Sequence, residues 1–322
     1  MREGKVLSGR DFSRSEVIPC AFGSFQAEEL RRTIRENKAQ EPARRAKKSI
    51  SIISGKGGVG KSNIAINLAL AFGKYRGIPA AVIDADLGLA NADVLLGLDA
   101  RLTLENVFLG EMTVRDILVP VSEKVWLVPG GSGLPELADM SPTMRKQLLP
   151  EMLTLDDIVD VIVIDAGAGI HASVRDFALA SDIVVVVATP EPTAVKDAYS
   201  MIKSISTSPS ILGKELFLVV NMAFSEREAA ASAKRLMDTT GRFLGIELKY
   251  LGPLLHDSRI PKSVKAKFPV LLGYPDCIFS RGIKGFTERL LPHSAETSRE
   301  PVQKEGAMKR LVASLIGRKV LS

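Results

Sequence analysis

Two lysines bracket a run of glycines at Gly55-Lys56-Gly57-Gly58-Val59-Gly60-Lys61-Ser62, followed by Asn63. That spacing is a phosphate cradle. Its glycines let successive backbone N–H groups curl around phosphate oxygens, Lys61 adds charge on the β/γ side, and the Ser62 hydroxyl suits Mg²⁺. The ordinary pattern does not need Lys56. A lysine in the first half of the loop points away from its own nucleotide's Mg²⁺ side, where it can meet a phosphate held by a facing subunit. Carboxylates stand where such a cradle needs them. Asp84-Ala85-Asp86 closes an apolar run, and its two acids at i and i+2 are expected on one face of a strand, to orient water or to hold Mg²⁺ through water. Asp165 closes Val161-Ile162-Val163-Ile164, and the glycines after it permit a loop that responds to the γ-phosphate. Asn221, at the end of Leu216–Val220, can donate and accept together and is expected at the adenine edge.

The elements that must carry these groups alternate. Short β-branched runs at 50–54, 80–85, 125–128, 160–165, 183–188, 216–221 and 248–252 are separated by helical patterns at 61–75, 141–155, 173–180, 192–207, 226–241, 258–267 and 276–291. This is the signal for an α/β fold, a single doubly wound and mainly parallel sheet flanked by helices. The expected organisation is a basic extension over 1–48, a nucleotide domain over 49–291, a polar linker over 292–306 and a final helix over 307–322. Pro129-Gly130-Gly131-Ser132-Gly133 reads as a loop at a strand end, and residues 1–22 carry no periodic pattern.

Composition narrows the function classes. The chain has 322 residues and a net charge of +6, unevenly spread: residues 1–48 carry 12 Lys/Arg against 7 Asp/Glu, residues 281–322 carry 9 against 4, and the middle is acidic. Basic ends on an acidic body point to anionic partners. Cys20 and Cys277 lie far apart without metal-ligand spacing, as expected of a reducing cytosol. The start of the chain is charged and does not read as a signal peptide, and no apolar run is long enough to span a bilayer. In the last segment Met308, Leu311, Val312, Leu315, Ile316 and Val320 fall on one helical face, flanked by Lys309, Arg310, Arg318 and Lys319. A short basic amphipathic helix after a linker suits reversible binding to an anionic membrane surface, and a dimer would gain by presenting two. The same apolar face could instead fold back onto the core.

Taken with D-A-D-L-G-L-A-N (84–91), D-A-G-A-G-I (165–170), A-T-P-E-P-T-A-V-K-D-A-Y (188–199) and V-V-N (219–221), the loop resembles the MinD/ParA family of deviant Walker A ATPases. D-A-D-L-G-L-A-N-A-D-V-L-L-G-L, P-G-G-S-G and T-P-E-P-T resemble its flagellar-number branch more than its cell-division branch. The resemblance spans about residues 24–291. It implies a slow Mg²⁺-dependent ATPase that closes as an ATP-bound homodimer, with turnover serving as a timer. Lys56 would reach the partner subunit's nucleotide and Lys61 and Ser62 would bind phosphate and Mg²⁺. Asp86 would position water, and Asp165 would support Mg²⁺ and the second switch. It further implies a cytoplasmic protein peripheral to the inner face of the cell membrane. The flagellar branch adds an N-terminal element that stimulates a signal-recognition-particle-type GTPase, FlhF. Gln26, Ala27, Leu30 and Arg31 match that element, whereas Phe25 stands where the branch has an aspartate. A flagellar transcription activator and flagellar switch (C-ring) proteins are further implied partners. Division-site selection and DNA partition are the alternatives within the family; the N-terminal extension argues against the first, and the apolar face at 308–320 favours lipid over nucleic acid. A metal-cluster carrier would need paired cysteines, which the sequence lacks.

Overall fold

The structure, a computed structural model, describes residues 47–86, 91–131, 150–292 and 306–317. The chain divides into units 1–42 and 43–322, and every described residue lies in the second. Gln26, Ala27, Leu30, Arg31 and Val320 fall outside the described residues.

Eight strands form one sheet: β1 (Lys48–Ile53), β2 (Ala80–Asp84), β3 (Val119–Ser122), β4 (Val125–Val128), β5 (Val161–Asp165), β6 (Ile183–Ala188), β7 (Glu215–Ala223) and β8 (Lys249–Leu255), in the order β3-β4-β2-β5-β1-β6-β7-β8. All neighbours are parallel except β3 and β4. Strands β5 and β6 are buried along their whole length, as continuous apolar runs in a sheet covered on both faces must be. The sequence patterning leads to seven of the strands; β3 is a half-exposed edge strand around Pro120 that pairs antiparallel.

The helices are α1 (Lys61–Leu70, continued by a π-turn at Ala71–Tyr75), α2 (Ala92–Leu96), α3 (Leu104–Phe108), α4 (Val114–Ile117), α5 (Ala172–Ala180), α6 (Pro192–Ser206), α7 (Glu226–Leu244), α8 (Arg259–Lys265), α9 (Val270–Gly273), α10 (Ile278–Leu290) and α11 (Ala307–Gly317). Helix α1 is apolar nearly all round, because it lies between the sheet and α10. Its one buried amide, Asn67, is satisfied from both ends: Nδ2 donates to the Asn63 carbonyl at 2.7 Å and Oδ1 accepts from Leu271 N–H at 2.8 Å. Helix α7 starts on a Ser225 cap and stops at Gly245 in the left-handed region. Most of the helix expected over 141–155 lies outside the described residues; its end runs as helix to Leu153 and then as a 3₁₀ turn over Thr154–Asp157.

Helix α11 packs on α5, β1 and the 154–157 turn. Met308, Leu311 and Val312, expected to face a membrane, are buried against the protein, and Leu315 is half-buried. Ile316 lies within the helix. Asp156 caps the helix from a distance, accepting from the N–H groups of Met308 (2.9 Å) and Lys309 (3.0 Å). Arg310 fastens its side, donating through Nε and Nη2 to Asp182 at 3.0 and 2.7 Å and to the Lys47 carbonyl at 2.8 Å. Of the two expected arrangements, a presented amphipathic face and a face folded back onto the core, the structure has the second. In this state burying the apolar stripe in the protein satisfies it, and the basic side chain between finds a carboxylate.

Candidate functional site

The carboxyl ends of β1, β2, β5, β6 and β7 converge on one rim, where open α/β sheets bind ligands. Between β1 and α1, residues 54–60 form a tight loop. Gly58 and Gly60 take φ of 77° and 90°, which only glycine adopts without strain. A Cβ at Gly55 would overlap the backbone of Asp197 in α6, and one at Gly60 would collide with the Asn221 amide. The loop is fixed at its first residue: Ser54 Oγ donates to the Lys56 carbonyl at 2.7 Å, and Gly169 N–H donates to the Ser54 carbonyl at 3.0 Å. The glycine-rich segment after Asp165 therefore touches the phosphate loop directly.

Lys61, Ser62, Asp86 and Asp165 come together. Lys61 is buried, and desolvation lowers its pKa against the opposing pull of Asp165 and Asp86. Asp165 is pushed up by burial, while a hydrogen bond from Ser62 and the charge of Lys61 act the other way. Its Oδ1 is buried without a hydrogen-bond partner. An orphaned carboxylate oxygen beside a serine hydroxyl is a hard oxygen donor set, and it fits Mg²⁺. Asp86 packs against Gly167, whose φ of 69° lets the backbone approach; a Cβ there would lie 3.3 Å from the Asp86 Cγ.

One sequence expectation changes here, and Asn221 gains a second contact. Strand β2 ends at Asp84, so the same-face pairing of Asp84 and Asp86 does not apply. Asp84 turns back on its own chain and accepts from the N–H groups of Asp86 (3.2 Å), Asn91 (2.9 Å) and Ala92 (3.0 Å). Burial raises its pKa to about 7, with Asp165, its register partner on β5, adding to the rise against those hydrogen bonds. Asn221 is buried, and its Nδ2 donates to the Val59 carbonyl at 2.8 Å. Its amide braces the phosphate loop through one N–H, which leaves the second N–H and Oδ1.

Lys56 lies outside the cradle. Its Nζ is 2.6 Å from Glu191 Oε2, an exposed carboxylate at the start of α6. The hydrogen bond and charge of Lys56 hold the Glu191 carboxyl below its ordinary value. Neither Glu191 nor the Asp84 clamp followed from the motif. Glu191 sits inside T-P-E-P-T, where an acid facing the loop lysine was the available signal.

Comparison with known proteins agrees with this geometry. The ParA family model, described as an NUBPL iron-transfer P-loop NTPase, matches residues 45–290. The chain is 36% identical over 241 residues to the antiactivator FleN of Pseudomonas aeruginosa, covering 75% of this chain and 85% of FleN. It is 37% identical over 261 residues to the flagellum site-determining protein YlxH of Helicobacter pylori, covering 80% and 86%. Among solved structures, the septum site-determining protein MinD of Pyrococcus horikoshii complexed with Mg-ADP superposes with a TM-score of 0.61 at 23% identity, covering 77% and 97%.

Proposed function

Because the chain belongs to the ParA/MinD family of P-loop ATPases, and within it to the FleN/YlxH branch, we propose that it is an ATP-switched regulator of flagellar number or placement. In this proposal ATP closes a homodimer, and the dimer is the form that engages membrane and partners. One observation carries it: among the described residues Lys56 lies at the rim, paired with an exposed carboxylate, while Lys61 is buried in the cradle. An exposed ion pair is weak. Lys56 is therefore cheaply released to a phosphate offered from a facing subunit.

The hydrolytic roles follow from position. Backbone N–H groups of 57–62 and the Lys61 ammonium bind the β- and γ-phosphates. Ser62 and Asp165 would hold Mg²⁺, with Asp86 close by, and the ion when bound neutralises charge developing on the phosphate oxygens. Asp86 accepts a hydrogen bond from the attacking water and aims it in line. The Gly167–Gly169 segment, in contact with both Asp86 and the loop, reports whether the γ-phosphate is present. No helix among the described residues is long and apolar enough to cross a membrane. Membrane residence in the proposal comes from α11, undocked in the ATP dimer. The N-terminal element at Gln26–Arg31 stimulates the GTPase, and restraint of a transcription activator belongs to the same state.

Asp86→Ala tests the switch. It is expected to retain ATP and accumulate as a dimer in light scattering, with hydrolysis slowed to a small residual rate. A variant that stays monomeric with ATP, or that hydrolyses it at the normal rate, refutes the role given to Asp86.

A further inference from the structure

We infer that Asp84 is a positioning residue for ATP hydrolysis, acting through Asp86; this rests on the proposed role of Asp86. The carboxylate of Asp84 clamps both ends of the segment that carries Asp86. Oδ1 accepts from the N–H of Asp86 itself, and Oδ2 accepts from Asn91 and Ala92 at the start of α2. One buried side chain thus bonds the backbone of Asp86 and the start of α2 together. Its own anchor is rigid: Asp84 is 2% exposed, ends a fully buried strand, and stands in register beside Asp165. Ala85 N–H donates to the Asp165 carbonyl at 2.9 Å, so the backbone leading to Asp86 is fixed on that side too.

The burial makes the clamp informative. An acid placed between the sheet and a second acid is costly to desolvate, and three N–H donors offset that cost. A fold needing only a cap for the five-residue helix α2 could use an exposed serine or asparagine. A carboxylate that also reaches the Asp86 N–H sets where the water-orienting carboxylate begins. Displacement of a catalytic group by about 1 Å costs roughly 10²-fold in rate.

Asp84→Asn keeps the shape and fails the clamp. Its Nδ2 presents a donor to one end of the segment, where the acid accepts. Single-turnover ATP hydrolysis by the full chain, normalised to sites titrated with a bound non-hydrolysable ATP analogue, is to be compared for Asp84→Asn, Asp86→Ala and the double variant. Normalisation keeps the result decisive if part of the variant is unfolded. The expected outcome is a kcat lowered by about 10- to 100-fold, with half-saturation by ATP and the ATP-dependent dimer retained. The double variant is expected to match Asp86→Ala alone, because a group acting through Asp86 has nothing left to position. An unchanged kcat in Asp84→Asn overturns the inference. So does a double variant slower than Asp86→Ala by the same factor that Asp84→Asn shows alone, which marks an independent structural effect. Hydrolysis at the normal rate by Asp86→Ala refutes the Asp86 assignment separately.

Discussion

Asp182→Asn is expected to undock α11 without altering the helix itself. Asp182 receives two hydrogen bonds from Arg310 and two from Ser49, through N–H and Oγ at 2.9 Å each. The asparagine keeps an acceptor for Ser49 and loses the charge facing Arg310. Breaking a fully buried ion pair costs about 3–5 kcal/mol. Here the two side chains keep 19% and 17% of their exposure, so about 2 kcal/mol is the better figure. That is roughly a 30-fold shift in the docking equilibrium. In the proposed membrane role only the released helix binds lipid, so apparent affinity for anionic vesicles without ATP should rise by the same factor until release is complete. Amide exchange in 307–317 and vesicle co-sedimentation measure it. Unchanged exchange together with unchanged vesicle binding refutes the clasp. The same pair has a pH signature. Burial would raise the Asp182 carboxyl, yet the Arg310 hydrogen bond, Ser49 and the Arg310 charge outweigh it and hold it below its ordinary value. A depressed folded value means stabilisation present above the ordinary aspartate range and lost as pH falls through the folded value. Docking should weaken only in acid, and Asp182→Asn should remove that dependence.

Lys56→Ala should bind ATP with nearly normal affinity and stay monomeric in light scattering, while Glu191→Gln, which frees Lys56, should dimerise at lower ATP; an ATP dimer of Lys56→Ala would remove the role given to this lysine. A peptide of residues 1–40 should accelerate GTP hydrolysis by a flagellar signal-recognition-type GTPase, with Gln26→Ala ineffective. Absence of acceleration by the unaltered peptide counts against the proposed partner.

What could be read from the sequence was what neighbouring residues decide. The glycine loop, the acid that ends β5 and the apolar runs of β5 and β6 are local patterns, and the fold follows from their alternation. Strand β3 escaped because an edge strand with Pro120 and half-exposed side chains shows neither an apolar run nor a clean alternation. Helices α3 and α4 are four or five residues long, below the length at which periodicity is visible. Their capping boxes at Thr103 and Thr113 were the available signal. The roles of Asp84 and Asp86 could not be separated by spacing, since that depended on where β2 ends. Docking of α11 was illegible for a different reason. Its apolar stripe fits a protein groove as well as a bilayer, and the groups that decide, Asp156 and Asp182, lie 152 and 128 residues away.

In the proposed switch, the nucleotide and α11 occupy opposite rims of the sheet, so ATP can reach the helix only through elements that touch both. Two do. Strand β1 begins where Ser49 holds Asp182 and the Lys47 carbonyl takes Arg310, and it ends at the phosphate loop. It is fully buried beyond its first residue and hydrogen-bonded on both sides, which makes it a poor moving part. Helix α5 is the better one. It starts three residues after Gly169, the glycine bonded to the loop, and it carries α11 on its outer side, where Ser314 Oγ donates to the Leu179 carbonyl at 3.5 Å. A shift of the Gly167–Gly169 segment would tilt α5 while β1 stays fixed, opening the groove under Leu311 without disturbing Asp182. In that proposal the clasp by Arg310 would set how much tilt the helix tolerates before it leaves, and the distal salt bridge would act as the threshold of the switch.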